Sequence, residues 1–270
     1  MSVTGEFFQF RGGELIPVDI ALADNLTVAD SFLVSAGMVR ALDRHLRRFS
    51  SSIQDEKTKR QLPEFFREFL SLIPDSEEWF PRLEYRESQP EGERLFVRMR
   101  PAPERTSTVT LWTLDEADPR VNPTIKGPDL SVCQRLRRKA NLSGADEAVI
   151  ADPAGVIADG ALSSIVWWRE GVLYGPDDTT AWLPSITREL VFELATQAGY
   201  ETGTERLNPE QLIDSEVWSL SALQGIRGVT SWGDIELGPL RLLSPFQKRL
   251  ALLAERLPEP DDLIERLGQL

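Results

Sequence analysis

The sequence predicts an α+β protein of two domains. Three observations carry that reading. The 270 residues exceed the usual size of one domain. Residues 144–198 read as strand, tight turn, strand, short turn, strand, loop and helix. An acidic, proline-bearing segment near the midpoint, DEADPRVNP at 115–123, has the composition of a linker. It separates an expected small N-terminal domain, 1–114, from an expected larger domain, 124–270.

Taken in order, residues 6–34 carry short strands with turns. Arg11-Gly12-Gly13 divides two β-rich pieces, and Phe32-Leu33-Val34, Gly37 and Met38-Val39 suggest a hairpin. The period then changes. Leu42, His45, Leu46, Phe49 and Ile53 fall on one helical face, and a second helical stretch runs from Leu62 to Ile73, ending at Pro74. Strands return in WFPRLEYRE, RLFVRMRP and VTLWTL. In 144–198, AVIAD carries small and β-branched residues and Asp152-Pro153-Ala154-Gly155 is turn chemistry. VIADGALSSIVWW resumes as strand, and Glu170-Gly171 turns again. Leu190, Val191, Leu194, Ala195 and Ala198 recur at helical spacing, with Thr187 the expected N-cap and Gly199 the stop. A helix near Pro209 to Ile213, a strand EVWSLSAL, a glycine-rich corner QGIRGVTSWGD and a final helix from Ser244 to Leu257 complete the chain.

Composition narrows the function. Hydrophobic residues make up 41%, enough for a core, and the net charge is −13. Such a balance disfavours nucleic acid, whose binding rests on neutralising phosphates. The strongest basic run, Arg135 to Lys139, reads as a solvated helix face. A single cysteine, Cys133, excludes an internal disulfide framework and fits a reducing cytoplasm. No signal peptide and no run of about eighteen apolar residues is present, so a soluble cytoplasmic protein is expected.

Three features bear on chemistry. Four of the five lysines sit in charged or helical surface contexts, and only Lys126, in TIKGPDL, is flanked by apolar and turn residues. There desolvation could lower its pKa toward nucleophilic use; the alternative is an ordinary loop lysine. Asp159 lies in an apolar strand before Gly160, which would let a flat ring approach. It is either a carboxylate for a pyridinium nitrogen or an edge aspartate facing water. The loop Leu183 to Thr187 enters a helix whose free N–H groups could seat a phosphate, although most capped helices bind no anion. Together they suggest pyridoxal phosphate. His45, the only histidine, lies on an apolar face and reads as structural, which removes histidine triads and histidine metal clusters. Trp167-Trp168 reads as core and interface packing.

Five segments then carry a resemblance, in order and spacing: HLRRF at 45–49, IKGPDL at 125–130, GADEAVIADPAGVIADGALSS at 144–164, LPSITRELVFELA at 183–195 and SLSALQGIRGV at 219–229. The chain resembles the class IV, or fold type IV, pyridoxal-phosphate enzymes. They include branched-chain and D-amino-acid aminotransferases and aminodeoxychorismate lyase. The resemblance covers about residues 29–234 and implies a small N-terminal α/β sandwich with a larger C-terminal pseudo-barrel. It implies that Lys126 carries pyridoxal 5'-phosphate covalently and moves a proton at the substrate α-carbon. Arg48, Ser185, Ile186, Thr187, Ser221 and Ala222 match positions around the cofactor phosphate. Asp159 falls where the family has a glutamate facing the ring nitrogen. Ser164 stands where an asparagine is common, and Ser131 where many members have a tyrosine. Arg100, in VRMRP, resembles an arginine that meets the substrate carboxylate. The implied activity is transamination between an amino acid and a 2-keto acid, with the lyase and a non-catalytic descendant as alternatives. A homodimer is also implied; seven tryptophans and twelve phenylalanines suit an interface.

Overall fold

The computed structural model describes residues 5–19 and 26–268, so residues 20–25 of the expected N-terminal strand region lie outside it. The chain divides into two compact units. The first comprises residues 1–104, 125–128 and 253–270, and the second 105–124 and 129–252. This interleaving differs from the expected division at 115–123, and pairing explains each exchange.

In the first unit, strands β1 (Glu6–Arg11), β2 (Glu14–Pro17), β3 (Val28–Ser31), β7 (Arg82–Tyr85) and β8 (Leu95–Met99) form an antiparallel sheet in the order β2-β1-β8-β7-β3. β1 and β2 join through Gly12-Gly13, both at positive φ (58° and 91°), as a two-residue hairpin of right-handed twist requires. A smaller sheet holds β4 (Val34–Ser35), β5 (Met38–Arg40), β6 (Glu78–Trp79) and β17 (Ala254–Arg256). Helix α1 (Leu42–Ser52) buries Leu42, His45, Leu46 and Phe49, and α3 (Leu62–Ser71) buries Phe65, Phe66 and Phe69; the short α2 (Glu56–Lys59) lies between them. Phe10 meets Phe65 edge-on at 5.7 Å and Phe32 meets Phe69 at 5.9 Å, the geometry aromatic quadrupoles favour.

The expected final helix, 244–257, does not run through. It stops at Ala251 as α6 (Leu243–Ala251), the chain pairs with β5 as β17, and α7 (Pro260–Leu267) follows. α7 puts Leu263 and Leu267 into the core of the first unit, which draws the C-terminal segment there.

In the second unit, β9 (Thr108–Thr113), β10 (Glu147–Ala151), β11 (Ile157–Gly160), β12 (Ser164–Arg169), β13 (Val172–Pro176), β14 (Glu201–Glu205), β15 (Glu216–Ser221) and β16 (Gly225–Trp232) form one mixed sheet, β11-β10-β9-β16-β15-β12-β13-β14. β9 belongs here because it pairs in parallel with both β10 and β16, although sequence order groups it with the N-terminal strands. β11 also contacts β12 and β13, so the sheet curls into a half-barrel. Helix α4 (Leu130–Leu142) packs Cys133, Leu136 and Ala140 over Ala148 and Ile150, and its basic run faces solvent as expected. Trp168, Trp218 and Phe246 of α6 meet within 5.2–5.5 Å in the core.

Candidate active site

The residues singled out in the sequence fall into two groups, one in each unit. Arg48, Arg100 and Lys126 belong to the first; Asp159, Ser164, Ser185, Ile186, Thr187, Ser221 and Ala222 belong to the second.

In the first unit, residues 125–128 run beside β3. The Lys126 carbonyl accepts the Ala29 N–H at 2.7 Å. Gly127 takes φ 141°, and a Cβ there would lie 2.8 Å from Ala29 N and Val28 Cα. Only glycine admits that approach, so the residue after the lysine holds the lysine to the strand. The next residue of the strand is Asp30, fully buried.

Asp30 is the centre of a polar group that sequence reasoning missed. Arg48 grips it with both arms, Nε at 2.8 Å and Nη2 at 2.9 Å, and His45 Nδ1 lies 2.8 Å away. The Ser31 N–H adds a fourth bond at 2.7 Å. Burial pushes the Asp30 carboxyl up, but Arg48 and His45 outweigh it and hold the group well below the usual carboxylate range. Burial lowers the His45 value against the pull of Asp30, with Arg48 and Lys126 adding to the lowering. His45 is therefore neutral at pH 7, and its Nδ1–H donates to Asp30. The expected structural role of His45 takes this definite form. Two of the donors of Arg48, matched to a phosphate by resemblance, are committed to Asp30. One signal was available: an aspartate inside the buried strand VADS needs a cation.

Arg100, half-buried, donates from Nε to the Phe80 carbonyl at 2.7 Å and lies 4.7 Å over the Phe80 ring. Its Nη2 is 3.4 Å from Ser31 Oγ. Burial and the neighbouring Arg82 and Arg98 push its pKa down to about 9, so it remains a cation among cations at neutral pH. The one carboxylate among these side chains, Glu84, is held by Arg82 and Arg86.

In the second unit, Asp159 sits in β11 opposite Ile150 and is buried, not a water-facing edge residue. Its Oδ2 accepts the Leu183 N–H at 3.0 Å and lies 3.4 Å from Arg120 Nη1, while Oδ1 accepts its own neighbour's N–H at Gly160, 3.1 Å. Burial pushes the carboxyl up to about 6, against Arg120, the two backbone donors and Arg188. Gly160 has a reason beyond ring approach: a Cβ there would lie 2.6 Å from the Ser163 carbonyl oxygen.

The loop that bonds Asp159 through Leu183 enters α5 (Ile186–Gln197) three residues later. The N-cap is Ser185, not Thr187: Ser185 is extended (φ −89°, ψ 120°) and its Oγ accepts the Arg188 N–H at 3.3 Å. Ile186 and Thr187 form the first helical turn, where N–H groups have no acceptor within the helix. Arg188, absent from the sequence reading, lies 3.9 Å over the Trp182 ring and donates to the Pro176 carbonyl at 2.8 Å. Ser164 opens β12 opposite Leu220, next to Ser221 at the end of β15. Ser221 Oγ accepts the Gln224 N–H at 3.1 Å and ties the turn that holds Ala222. Carboxylate, helix N-terminus and serine turn thus come from separated parts of the chain onto one curled sheet.

A family described as amino-transferase class IV matches residues 27–232, and the chain belongs to it. Among curated relatives, the branched-chain-amino-acid aminotransferases of Salmonella typhimurium and Escherichia coli K12 are each 32% identical over 113 residues. That is 42% of this chain and 36% of theirs. A putative branched-chain-amino-acid aminotransferase of Methanocaldococcus jannaschii is 30% identical over 96 residues, 36% of this chain and 33% of its own. The matched stretch spans about a third of each relative. Solved structures agree in fold over nearly the whole chain. A hypothetical aminotransferase from Mycobacterium tuberculosis, in a PLP-bound form, has a TM-score of 0.76 at 21% identity, covering 92% of this chain and 98% of that one. The Escherichia coli branched-chain enzyme has a TM-score of 0.72 at 18% identity, covering 91% and 92%. The architecture is that of fold type IV, as the sequence resemblance implied.

Proposed function

We propose that the protein is a pyridoxal-phosphate-dependent aminotransferase that moves an amino group between an amino acid and a 2-keto acid. The observation that carries this is the run from Asp159 through Leu183 to the α5 N-terminus: a buried carboxylate bonded into the loop whose end offers backbone donors to an anion. These donors fit a cofactor with a basic ring nitrogen and a phosphate. Ile186, Thr187, Ser221 and Ala222 would hold the phosphate with Ser185 ordering the loop, and Arg48 would add charge from its bed on Asp30. Ser164 would brace the ring beside Asp159.

When bound, pyridoxal phosphate supplies an electron sink for the substrate α-carbon. Lys126 would hold the cofactor through its Nζ and, as a free amine, would serve as the base and acid that moves a proton at the substrate α-carbon. Asp159, as an anion, would keep the ring nitrogen protonated. Arg100 would take the substrate carboxylate; the repulsion it feels from Arg82 and Arg98 falls when an anion arrives.

The named relatives are aminotransferases, which favours transamination over the lyase reading, and a donor screen begins with branched-chain amino acids. The buried single thiol, Cys133, suits a reducing compartment, and we assign the protein to the cytoplasm. Among the described residues no helix is long and apolar enough to cross a membrane. Borohydride reduction of the loaded protein followed by peptide mapping tests the reading. The label is expected on Lys126, and its recovery on any other lysine would overturn the assignment.

A further inference from the structure

The 115–123 segment, a linker by composition, carries a buried side chain onto Asp159. Arg120 is only 4% exposed in its side chain. Its Nε reaches both oxygens of Asp118 (3.0 and 3.1 Å), and Nη2 reaches Asp118 Oδ2 at 2.9 Å and the Ala181 carbonyl at 2.7 Å. That leaves Nη1, which points at Asp159 Oδ2, 3.4 Å away. The guanidinium is thus pinned on two sides and presents its third to the carboxylate.

We propose that Arg120 is a positioning residue of this site: anchored by Asp118 and the Ala181 carbonyl, it holds Asp159 in the anionic form and orientation that serve the cofactor's ring nitrogen. The proposal rests on the role assigned to Asp159 above. Its physical basis is a balance. Asp159 is out of water, and burial alone drives a carboxyl toward its neutral form. The charged groups acting on it are Arg120, in contact, and Arg188, which is occupied with Trp182 and Pro176. Ile150, opposite on the neighbouring strand, contributes no charge. Arg120 in turn feels Asp118, Asp159 and Cys133. With the carboxyl already up at about 6, a further rise of about one unit would leave roughly half of it protonated at pH 7. A neutral carboxyl cannot hold a proton on the ring nitrogen. Arg120 therefore decides whether Asp159 is charged at the working pH.

The test is a carboxyl ¹³C NMR titration of the cofactor-free chain labelled at aspartate, with Asp159 assigned through Asp159→Asn. Arg120→Gln is expected to raise the Asp159 midpoint by at least about one pH unit, tenfold in proton affinity. The acid limb of kcat/KM in the loaded enzyme should move the same way, and Arg120→Lys should return most of the shift. An arginine that only stabilises the fold would lower Tm in all variants and leave the midpoint in place, which overturns the proposal. Should Arg120→Gln fail to fold, Arg120→Met takes its place, and an unmoved midpoint in that variant overturns it equally. Borohydride labelling of the same variants separates the two readings. An unmoved midpoint with the label on Lys126 sinks the role of Arg120 alone. A shifted midpoint with the label elsewhere sinks the assigned function, and the cofactor role of Arg120 with it.

Discussion

At the scale of single residues, the charge most exposed to loss is Asp30. Its carboxylate is fully buried and is matched by Arg48, His45 and the Ser31 N–H. Removing one partner of a buried ion pair leaves the other charge without compensation, and that costs more than the pair contributes. Asp30→Asn is expected to destabilise the cofactor-free protein by about 3–5 kcal/mol in urea unfolding. A change within about 0.5 kcal/mol, the range of ordinary surface substitutions, would show that Arg48 re-partners without cost. Because Gly127 and the Lys126 carbonyl bind the adjoining residue of β3, the same substitution should also loosen Lys126. One residue thus links the stability of the first unit to the placement of Lys126.

Elements add a second level of control. Helix α5 begins where the extended Ser185 turns into Ile186, and Ser185 Oγ satisfies one orphan N–H. Ser185→Ala should cost about 1 kcal/mol, the usual worth of an N-cap side chain, by thermal or urea unfolding. Thr187, buried in the first helical turn, is not the cap. Thr187→Ser keeps its hydroxyl and is expected to leave the cap intact, with a smaller loss from the missing methyl. If the two substitutions cost the same, the cap assignment is wrong. The Ser185 oxygen also sets the entry angle of the loop that carries Leu183 to Asp159. Loss of the cap should therefore weaken cofactor binding as well as the helix.

For the whole molecule, the buried acids set the response to pH. Burial raises Glu147 to about 7, against Arg227 and the Ala148 N–H, and raises Asp159 to about 6. A carboxyl whose folded value is raised binds protons more tightly in the native state, so its contribution falls as pH rises from the unfolded value, about 4, through the folded one. Asp30 is depressed and works oppositely: its contribution is present above pH ~4 and is lost on acidification. The net charge of −13 adds self-repulsion on the alkaline side. The cofactor-free protein should lose Tm between about pH 4 and 7, and Glu147→Gln should flatten that decline. An unchanged slope in the variant would assign the pH response elsewhere. Assembly is the second whole-molecule prediction. A homodimer mass by light scattering across a dilution series is expected, and a fully active monomer at low micromolar concentration would refute it.

By itself the sequence determined the features that depend on neighbours a few positions apart. The turns at Gly12-Gly13 and Glu170-Gly171 need positive φ, and the chain supplies residues that take it. The faces of α1, α3 and α5 follow from a 3.6-residue period, and Asp159 could be seen as an acid in an apolar strand. The order of five motifs was enough for the family. Tertiary structure alone decided where β9 pairs, that the C-terminal helix breaks at Ala251 to let α7 complete the first core, and that the linker arginine, Arg120, meets Asp159. It also committed two donors of Arg48 to Asp30 and surrounded Arg100 with cations. The reason is physical. Turn and helix preferences are properties of the local backbone, whereas strand pairing and the desolvation of a charge depend on residues brought together from distant parts of the chain. Eighteen positions separate Asp30 from Arg48, and thirty-nine separate Arg120 from Asp159. No local pattern reports such a meeting.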